Sequence, residues 1–229
     1  MGLASWPTEM RKHMARLDLE LERGSHIVQI YEGFSEQKQV ILPFFREGLR
    51  NGEHCLLVAN SASYDDWCLE FQAYGIDVSR EVESGALKMV TGPQFRGAGK
   101  FNSIIQARET FGMIQDELQA FRGIRIAGDA DWGLHPVVSA GDVCHWEATA
   151  NLVFEGEQVR VICQYDRERY SSEMIHGVLR THRSVVYRGH HYRCNPTFEG
   201  ARILENEPYL NGSSADDRTL EEALGRLTS

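Results

Sequence analysis

The stretch from His26 to Asn60 constrains the fold of this chain more than any other. A strand-like apolar run covers His26–Tyr31, a helical pattern extends from about Glu36 to Arg50, and a second apolar run covers Cys55–Ala59. A strand, a helix and a second strand in this order form the opening unit of a parallel α/β sheet. We therefore predict an α/β fold with a mainly parallel sheet flanked by helices.

The loop after the first strand is where nucleotide-binding proteins of such folds hold phosphate, with the pattern Gly-x-x-x-x-Gly-Lys-Ser/Thr. Counted from Gly33, the places of the second glycine, the lysine and the hydroxyl residue hold Lys38, Gln39 and Val40. The carboxylates of Glu32 and Glu36 in the same loop would repel a polyphosphate. We expect no nucleotide hydrolysis here, and a nonstandard nucleotide site that uses Lys38 stays as an alternative.

Length, charge and cysteine usage narrow the class of protein. At 229 residues the chain suits one domain with extensions and a substantial core. Its net charge of -9 argues against sequence-independent nucleic-acid binding, which needs a basic face. There is no secretory leader pattern and no apolar run of membrane-spanning length. The five cysteines lack the spacing of a disulfide scaffold. We expect a reduced, cytosolic protein.

Strand-like and helical runs alternate along the rest of the chain. Further strands are predicted at Ala86–Thr91, Gly123–Ala127, Gln158–Tyr165 and Ser184–Tyr192. Helices are predicted to begin at Ser63, near Ile104, near Gly141 and at a capping Ser172, and the helix near Ile104 has a predicted core face that includes Phe111. Pro43 is expected to bend the first helix or delay its start. A mobile loop over a pocket is predicted at Gly92–Lys100.

The chain divides into a main domain and two extensions. We predict a helical extension over residues 1–24, a domain over 25–196 and a tail over 197–229. The tail ends in an amphipathic helix that is capped near Ser214 and carries Leu220, Leu224 and Leu227 on its apolar side. The N-terminal helix is expected to pack on the domain's flank, with a dimerisation helix or a lead-in to a partner as the alternative.

Polar and aromatic residues gather where the predicted strands end. The carboxyl ends of parallel strands meet at one edge of a sheet, which is where such folds bind ligands. Glu147 lies beside an apolar helix face and is expected to have a partner. The candidate ligand-binding residues are Tyr31, Glu32, Asn60, Ser61, Asp129, Trp132, Glu147, Tyr165, Asp166, Arg180 and His182.

Structural roles are the alternatives for several of these residues. Tyr31 and Tyr165 could be core tyrosines with bonded hydroxyl groups. Arg180 could pair with Asp166 or Glu147 as an internal bridge. Asp129 could cap the turn that follows its strand.

No metal site, cofactor or catalytic residue is expected. His190, His191 and Cys194, with Cys144 and His145 as further candidates, could hold a soft metal or haem. Their spacing fits no standard zinc pattern, and adjacent residues on a strand point to opposite faces. We therefore expect His190 and His191 to be surface histidines near a turn. The Gly-x-Ser-x-Gly turn of a hydrolase is missing, and we do not expect an enzyme.

An ordered set of motifs resembles the MEDS family, the methanogen/methylotroph sensory domains, over roughly residues 25–196. The motifs are His26-x-x-Gln29-x-Tyr31, Pro43-Phe-Phe-x-x-Gly48, Gly128-Asp129-x-x-Trp132, Glu147, Cys163-Gln-Tyr165-Asp166 and Leu179-Arg-Thr-His182. The segment Phe45–Val58 is also similar to the helix and second strand of RecA/KaiC-type ATPases. The resemblance implies a RecA/KaiC-like sheet with a degenerate phosphate loop, and a sensory role for small organic ligands.

Three functions follow as hypotheses. The first is a sensory domain that binds a small molecule and signals to a partner protein. Because no helix-turn-helix or kinase core is visible, the partner would be a separate signalling or transcription-regulatory protein, reached through the terminal helices or a homodimer face. Direct contact with nucleic acid or membrane is not expected. The second is a protein–protein adaptor, and the third is a residual nucleotide-binding protein.

Overall fold

The computed structural model describes residues 21–59, 64–96, 102–129, 131–135, 138–200, 202–205 and 216–228. Several predictions fall outside these residues: most of the helical extension over 1–24, Asn60, Ser61, the start of a helix at Ser63, the loop over 97–100 and the cap near Ser214. The side chain of Trp132 is also outside the described part. No helix within the described ranges is both long and apolar enough to cross a membrane.

A seven-stranded, mostly parallel sheet forms the centre of the molecule. Its strands are β1 (Ser25–Tyr31), β2 (His54–Ala59), β3 (Leu87–Thr91), β4 (Ile124–Asp129), β5 (Val159–Asp166), β6 (Val185–Tyr187) and β7 (His190–Tyr192). The spatial order is β3-β2-β4-β5-β1-β6-β7, and only the last pair is antiparallel. The predicted mainly parallel α/β fold is confirmed.

The final strand predicted over Ser184–Tyr192 is a hairpin. Arg188 and Gly189 between β6 and β7 have φ angles of 50° and 72°. Two consecutive residues with positive φ form the tight turn whose twist matches that of paired antiparallel strands. A single continuous strand is therefore wrong here, because the Arg-Gly pair reverses the chain.

Helices cover both faces of the sheet. In chain order they are α1 (Gly33–Arg50), α2 (Tyr64–Ala73), α3 (Val78–Glu83), α4 (Gly92–Arg96), α5 (Ser103–Glu117), α6 (Ala140–Phe154), α7 (Ser172–Thr181), α8 (Arg202–Glu205) and α9 (Asp217–Thr228). A short 3-10 turn lies at Asp131–Leu134. On β2, Leu57 packs in the cluster that contains α1 and α2, whereas Leu56 and Val58 pack with α5 and α6.

Helix α1 begins earlier than predicted. It starts at Gly33, so the supposed loop before Glu36 is its first turn. The Glu36 carboxylate accepts the backbone N–H of Glu32 at 2.9 Å, which places a negative charge at the positive end of the helix. Pro43 lies in the interior and does not delay the start, because its fixed φ is compatible with a helix; it still removes one backbone hydrogen bond and crowds the carbonyl group four residues before it.

The predicted core face of α5 is partly wrong. Ala107 and Ile114 are buried as expected, but Phe111 is 41% exposed while Thr110 is 3% exposed. The buried stripe is therefore turned by one residue toward Thr110, so that a hydroxyl group, rather than an aromatic ring, faces the sheet.

Local differences occur at three other helices. Helix α3 was not predicted, and residues 92–96 of the predicted mobile loop form α4. The cap of α7 is Ser171, whose side chain accepts the N–H of Met174, and not Ser172. The C-terminal helix α9 buries Leu220, Leu224 and Leu227 as predicted, and it packs against α7.

Candidate functional site

A small cavity lies between the sheet and helices α5 and α6, near the carboxyl end of β4. Its volume is about 40 Å³. A water molecule needs about 10–15 Å³ by the same measure, so the cavity has room for a molecule of a few non-hydrogen atoms. Its walls are mostly apolar and include Val58, Ile126, Trp146, Ala150, Phe154 and Val161.

Three polar side chains interrupt the apolar lining of the cavity: Thr110, Asp129 and Glu147. Thr110 Oγ1 and Asp129 Oδ1 are buried, and neither has a hydrogen-bond partner among the described residues. Buried polar atoms are normally bonded to protein or to ordered water. An apolar pocket with a few directional polar groups is the usual form of a small-molecule site.

Asp129 has an unusual electrostatic environment. Burial raises the pKa of its carboxyl group to about 7, while Arg169 lowers it and the charges of Asp131 and Asp166 raise it further. The nearest nitrogen of Arg169 is 3.7 Å from Asp129 Oδ2, and the Tyr31 hydroxyl lies 3.5 Å from the same oxygen. Burial and Asp129 also raise the pKa of Tyr31. The carboxyl group can therefore exist in either protonation state near neutral pH.

A second group of functional side chains lies beside this cavity, with His26, Glu147 and His182 buried and Cys163 partly buried. We call His26, Glu147, Cys163 and His182 the His–Glu–Cys cluster, because one ligand-type atom of each lies within 4.8 Å of all the others. His26 Nε2 lies 3.1 Å from Glu147 Oε2, 3.2 Å from Cys163 Sγ and 3.1 Å from His182 Nε2. His182 Nε2 is 3.5 Å from Glu147 Oε2. Glu147 and Cys163 also line the cavity.

Hydrogen bonds on the outer side of the cluster fix the direction of both imidazoles. His182 Nδ1 lies 2.7 Å from the Val178 carbonyl oxygen. His26 Nδ1 lies 3.1 Å from Asn151 Oδ1, and the Asn151 amide donates to the carbonyl oxygens of Glu147 and Thr181. Both Nδ1 atoms therefore face acceptors and carry hydrogen, and both Nε2 atoms point into the cluster.

Burial and the contacts within the cluster together shift the pKa values of its members. It lowers the pKa of His26, and the neighbouring His182 lowers it further. Burial and the charge of Glu147 raise the pKa of the Cys163 thiol. Burial alone would raise the pKa of Glu147, but its interactions with His182 and His26 outweigh burial and lower the pKa. Glu147 is therefore a buried carboxylate, and a buried negative charge is costly unless a positive charge lies beside it.

The structure brings the predicted site residues together in two groups. Tyr31 and Asp129 meet at the end of the sheet. Glu147, Tyr165 and His182 meet in the cluster, where the Tyr165 hydroxyl donates to Glu147 Oε1. The expected partner of Glu147 is therefore present, and Tyr31 and Tyr165 fit the alternative of buried tyrosines with bonded hydroxyls. The cavity connects the two groups, since Asp129 and Glu147 both line it.

Other predicted residues lie away from the cavity. The Glu32 carboxylate is half exposed and lies 3.5 Å from Arg167. Asp166 accepts the backbone N–H of Glu168 at 3.0 Å and so shapes the turn after β5. Arg180 donates to both carboxylate oxygens of Glu199, at 2.9 and 2.7 Å, a pairing that the sequence did not predict.

The alternative metal or haem residues lie in different elements: His190 and His191 on β7, Cys194 after it, and Cys144 and His145 on α6. His191 Nε2 is 2.7 Å from the Ser184 hydroxyl, and His190 and Cys194 are exposed. Within the described part of the chain they do not form a cluster of ligand atoms. Sequence reasoning missed His26 and Cys163 as site residues, although both belong to the motifs that carry the family resemblance.

Comparison with known proteins agrees with the motif set. The family model described as "MEDS: MEthanogen/methylotroph, DcmR Sensory domain" matches residues 25–183. The transcriptional repressor DcmR of Methylorubrum extorquens is 26% identical over 166 residues, which are 72% of this chain and 60% of the repressor. The chain therefore spans about three fifths of the length of this curated relative.

Proposed function

The chain belongs to the MEDS family of sensory domains, and from this premise we propose that it binds a small, mostly apolar molecule in the cavity between the sheet and α5–α6. The observation that carries the proposal is the cavity itself, in which Thr110 Oγ1 and Asp129 Oδ1 interrupt an apolar wall and have no hydrogen-bond partner in the part of the chain that the structure describes. These two oxygen atoms would orient a ligand that has one polar end, while the apolar walls favour its other end.

Ligand binding would reach the outside of the domain through helix packing. Helix α6 lines the cavity with Trp146, Ala150 and Phe154, and it also packs against α7. Helix α7 in turn packs against the C-terminal helix α9. A ligand that favours one position of α6 over another would shift the position of α9, where a partner can detect it. The similar repressor DcmR supports a transcription-regulatory partner, and such a partner would place this protein in the cytoplasm.

A degenerate RecA/KaiC-like origin is part of the same proposal. The position that would cradle phosphate is the first turn of α1, where the Glu36 carboxylate already accepts a backbone N–H. Lys38, the candidate phosphate lysine, donates to Glu70 on α2 at 2.5 Å. Both contacts count against the alternative of a residual nucleotide site, because the anion position and the cation are already engaged.

Thermal unfolding with a panel of short-chain alcohols, nitriles and halocarbons tests ligand binding. A ligand that binds the folded state stabilises it by about 2.7 kcal/mol at 100 times its dissociation constant. We expect at least one such molecule to raise the melting temperature of the wild-type protein, and magnesium ATP to leave it unchanged.

Variants of helix α6 make the test specific to the cavity. Ala150→Leu fills the space and should abolish the stabilisation, whereas Leu152→Ala on the exposed side of the same helix should keep it. Thr110→Val removes the free hydroxyl with little change of shape and should weaken binding of ligands with a polar end. Equal stabilisation of the wild type and of Ala150→Leu would refute the site. An adaptor without a ligand would show no response to any member of the panel.

A further inference from the structure

We propose that the His–Glu–Cys cluster is a metal site for a divalent transition ion of the zinc class, with His26 Nε2, His182 Nε2, Glu147 Oε2 and Cys163 Sγ as its ligands. This inference does not depend on the proposed ligand in the neighbouring cavity. It rests on the arrangement of the four ligand atoms, on the hydrogen bonds behind them and on the charge that they enclose.

The distances between the ligand atoms suit one tetrahedral ion. Zinc bonds of about 2.0–2.2 Å to nitrogen and oxygen and about 2.3 Å to sulfur place tetrahedral ligand atoms about 3.3–3.6 Å apart. The measured distances from His26 Nε2 are 3.1 Å to His182 Nε2, 3.1 Å to Glu147 Oε2 and 3.2 Å to Cys163 Sγ. Small outward movements of the side chains would admit the ion.

The outer hydrogen bonds prepare the two imidazoles for coordination. A metal-binding histidine usually donates its other ring N–H to a carbonyl or carboxylate, which fixes its tautomer and orientation. Here the Val178 carbonyl oxygen and Asn151 Oδ1 occupy these positions behind His182 and His26. In the neutral state both Nε2 lone pairs then point at Glu147 Oε2 and at each other. Such lone pairs repel unless a cation lies between them.

The carboxylate has matching outer support. The Tyr165 hydroxyl donates to Glu147 Oε1, which leaves Oε2 directed toward the imidazoles. Hydrogen-bonded carboxylates of this kind are common around metal ions. Tyr165 is itself fully buried, so the orientation of Glu147 is held from the interior of the sheet.

Charge balance favours a divalent ion over an empty cluster. The side chains of His26 and Glu147 are each 1% exposed and that of His182 is 0% exposed, so a net charge here is costly. A divalent ion with one carboxylate, one thiolate and two neutral imidazoles has no net charge. Binding breaks the S–H bond of Cys163 and releases that proton to solvent, together with any second proton on an imidazole. Zinc accepts nitrogen, oxygen and sulfur donors in tetrahedral geometry, so this donor set is compatible with it.

The competing occupant is a single proton shared between His26, His182 and Glu147. It would make an imidazolium–carboxylate pair and would leave Cys163 as a thiol. The two occupants differ in a way that can be measured, because only the metal needs the sulfur atom.

Cobalt(II) substitution distinguishes the two. The full chain, purified with chelator and dialysed, is titrated with Co²⁺ and then with Zn²⁺. We expect one equivalent of Co²⁺ to give intense visible bands of a tetrahedral site and a near-ultraviolet thiolate-to-cobalt band. Zn²⁺ should displace the cobalt and raise the melting temperature, since ligands that bind the folded state stabilise it.

Matched variants assign the bands to the cluster. Cys163→Ser should lose the thiolate band, and His182→Gln should weaken metal binding by more than the 10- to 100-fold typical of losing an outer-shell partner. Cys55→Ser and His54→Gln change a buried cysteine and a buried histidine outside the cluster and should bind as the wild type does. His191→Gln tests the last hairpin and should also bind metal as the wild type does.

Two results would overturn the metal site. One is a wild-type protein that shows neither cobalt bands nor a zinc-dependent rise in melting temperature, which would assign the cluster to the shared proton. The other is an unchanged thiolate band in Cys163→Ser. If Cys163→Ser does not fold, as judged by circular dichroism, Asn151→Ala supplies the second readout. It should lower the affinity about 10- to 100-fold while the thiolate band remains, and unchanged affinity would count against the site.

Discussion

Replacing Asp129 by asparagine should change how the stability of the domain depends on pH. The side chain is 5% exposed, and burial raises the pKa of its carboxyl group from an ordinary value of 3.8 to about 7. In the unfolded chain the group ionises near its ordinary value, whereas the folded protein keeps the proton until about pH 7. The stability that this proton gives is therefore complete below pH 3.8 and is lost as the pH rises through 7.

The size of the effect follows from the two pKa values. One pKa unit corresponds to about 1.4 kcal/mol, so the full difference of about three units is worth about 4 kcal/mol. Between pH 5 and pH 8 the remaining change is about 3 kcal/mol. Asp129→Asn has no carboxyl group to ionise, and its amide oxygen can still accept from the Tyr31 hydroxyl. The free energy of unfolding of the variant should rise by about 3 kcal/mol relative to the wild type over this interval.

Urea denaturation at pH 5, 6, 7 and 8 measures the difference. Asp65→Asn, which removes an exposed carboxylate from α2, is the control and should follow the wild-type curve at a constant offset. Parallel curves for Asp129→Asn and the wild type would refute the reasoning. They would mean that Arg169, 3.7 Å away, keeps Asp129 ionised throughout this range.

Two further changes test the packing that supports the site. Arg125→Ala should destabilise the fold by about 3–5 kcal/mol, because the Arg125 guanidinium is 4% exposed and pairs with buried Glu53. The control is Arg80→Ala, at a side chain that is 74% exposed, which should cost under about 1 kcal/mol. Urea denaturation measures both. Leu224→Ala on α9 should cost about 2–5 kcal/mol, since its side chain is 2% exposed against α7. Leu152→Ala, at a position 55% exposed, should change the melting temperature little, and equal losses at Leu224 and Leu152 would contradict the packing.

The sheet was predictable because buried parallel strands are short apolar runs separated by helical patterns. The ends of the elements were less predictable. Helix α1 begins at Gly33, where the Glu36 carboxylate accepts the backbone N–H of Glu32 just before the helix, a contact that residue pattern alone does not reveal. The hairpin at Arg188–Gly189 was missed because arginine is an uncommon residue at positive φ.

The orientation of α5 shows why the cavity was only partly foreseen. Apolar spacing favoured Phe111 as a core residue, yet Thr110 is the buried one. The spacing of apolar residues indicates which helix face buries the most hydrophobic area. It gives no indication of a polar side chain that is buried because it faces a pocket. Sequence reasoning singled out Asp129 and Glu147, which both line the cavity, because they are charged residues beside apolar segments. It did not find Thr110, which differs little from any other helical threonine.

The His–Glu–Cys cluster depends on strand order, which no single segment of the sequence contains. The fold places β5 beside β1, although 127 residues separate the ends of the two strands where Tyr31 and Val159 lie. In that pairing Val28 is opposite Cys163 and His26 is opposite Val161, so His26 and Cys163 are two positions apart on neighbouring strands. Side chains two positions apart along a strand direction share a face of the sheet. The same face receives α6 and the end of α7, which bring Glu147 and His182. The four residues lie in four separate segments of the chain, and the β5-β1 pairing is what allows them to form one set of converging ligand atoms.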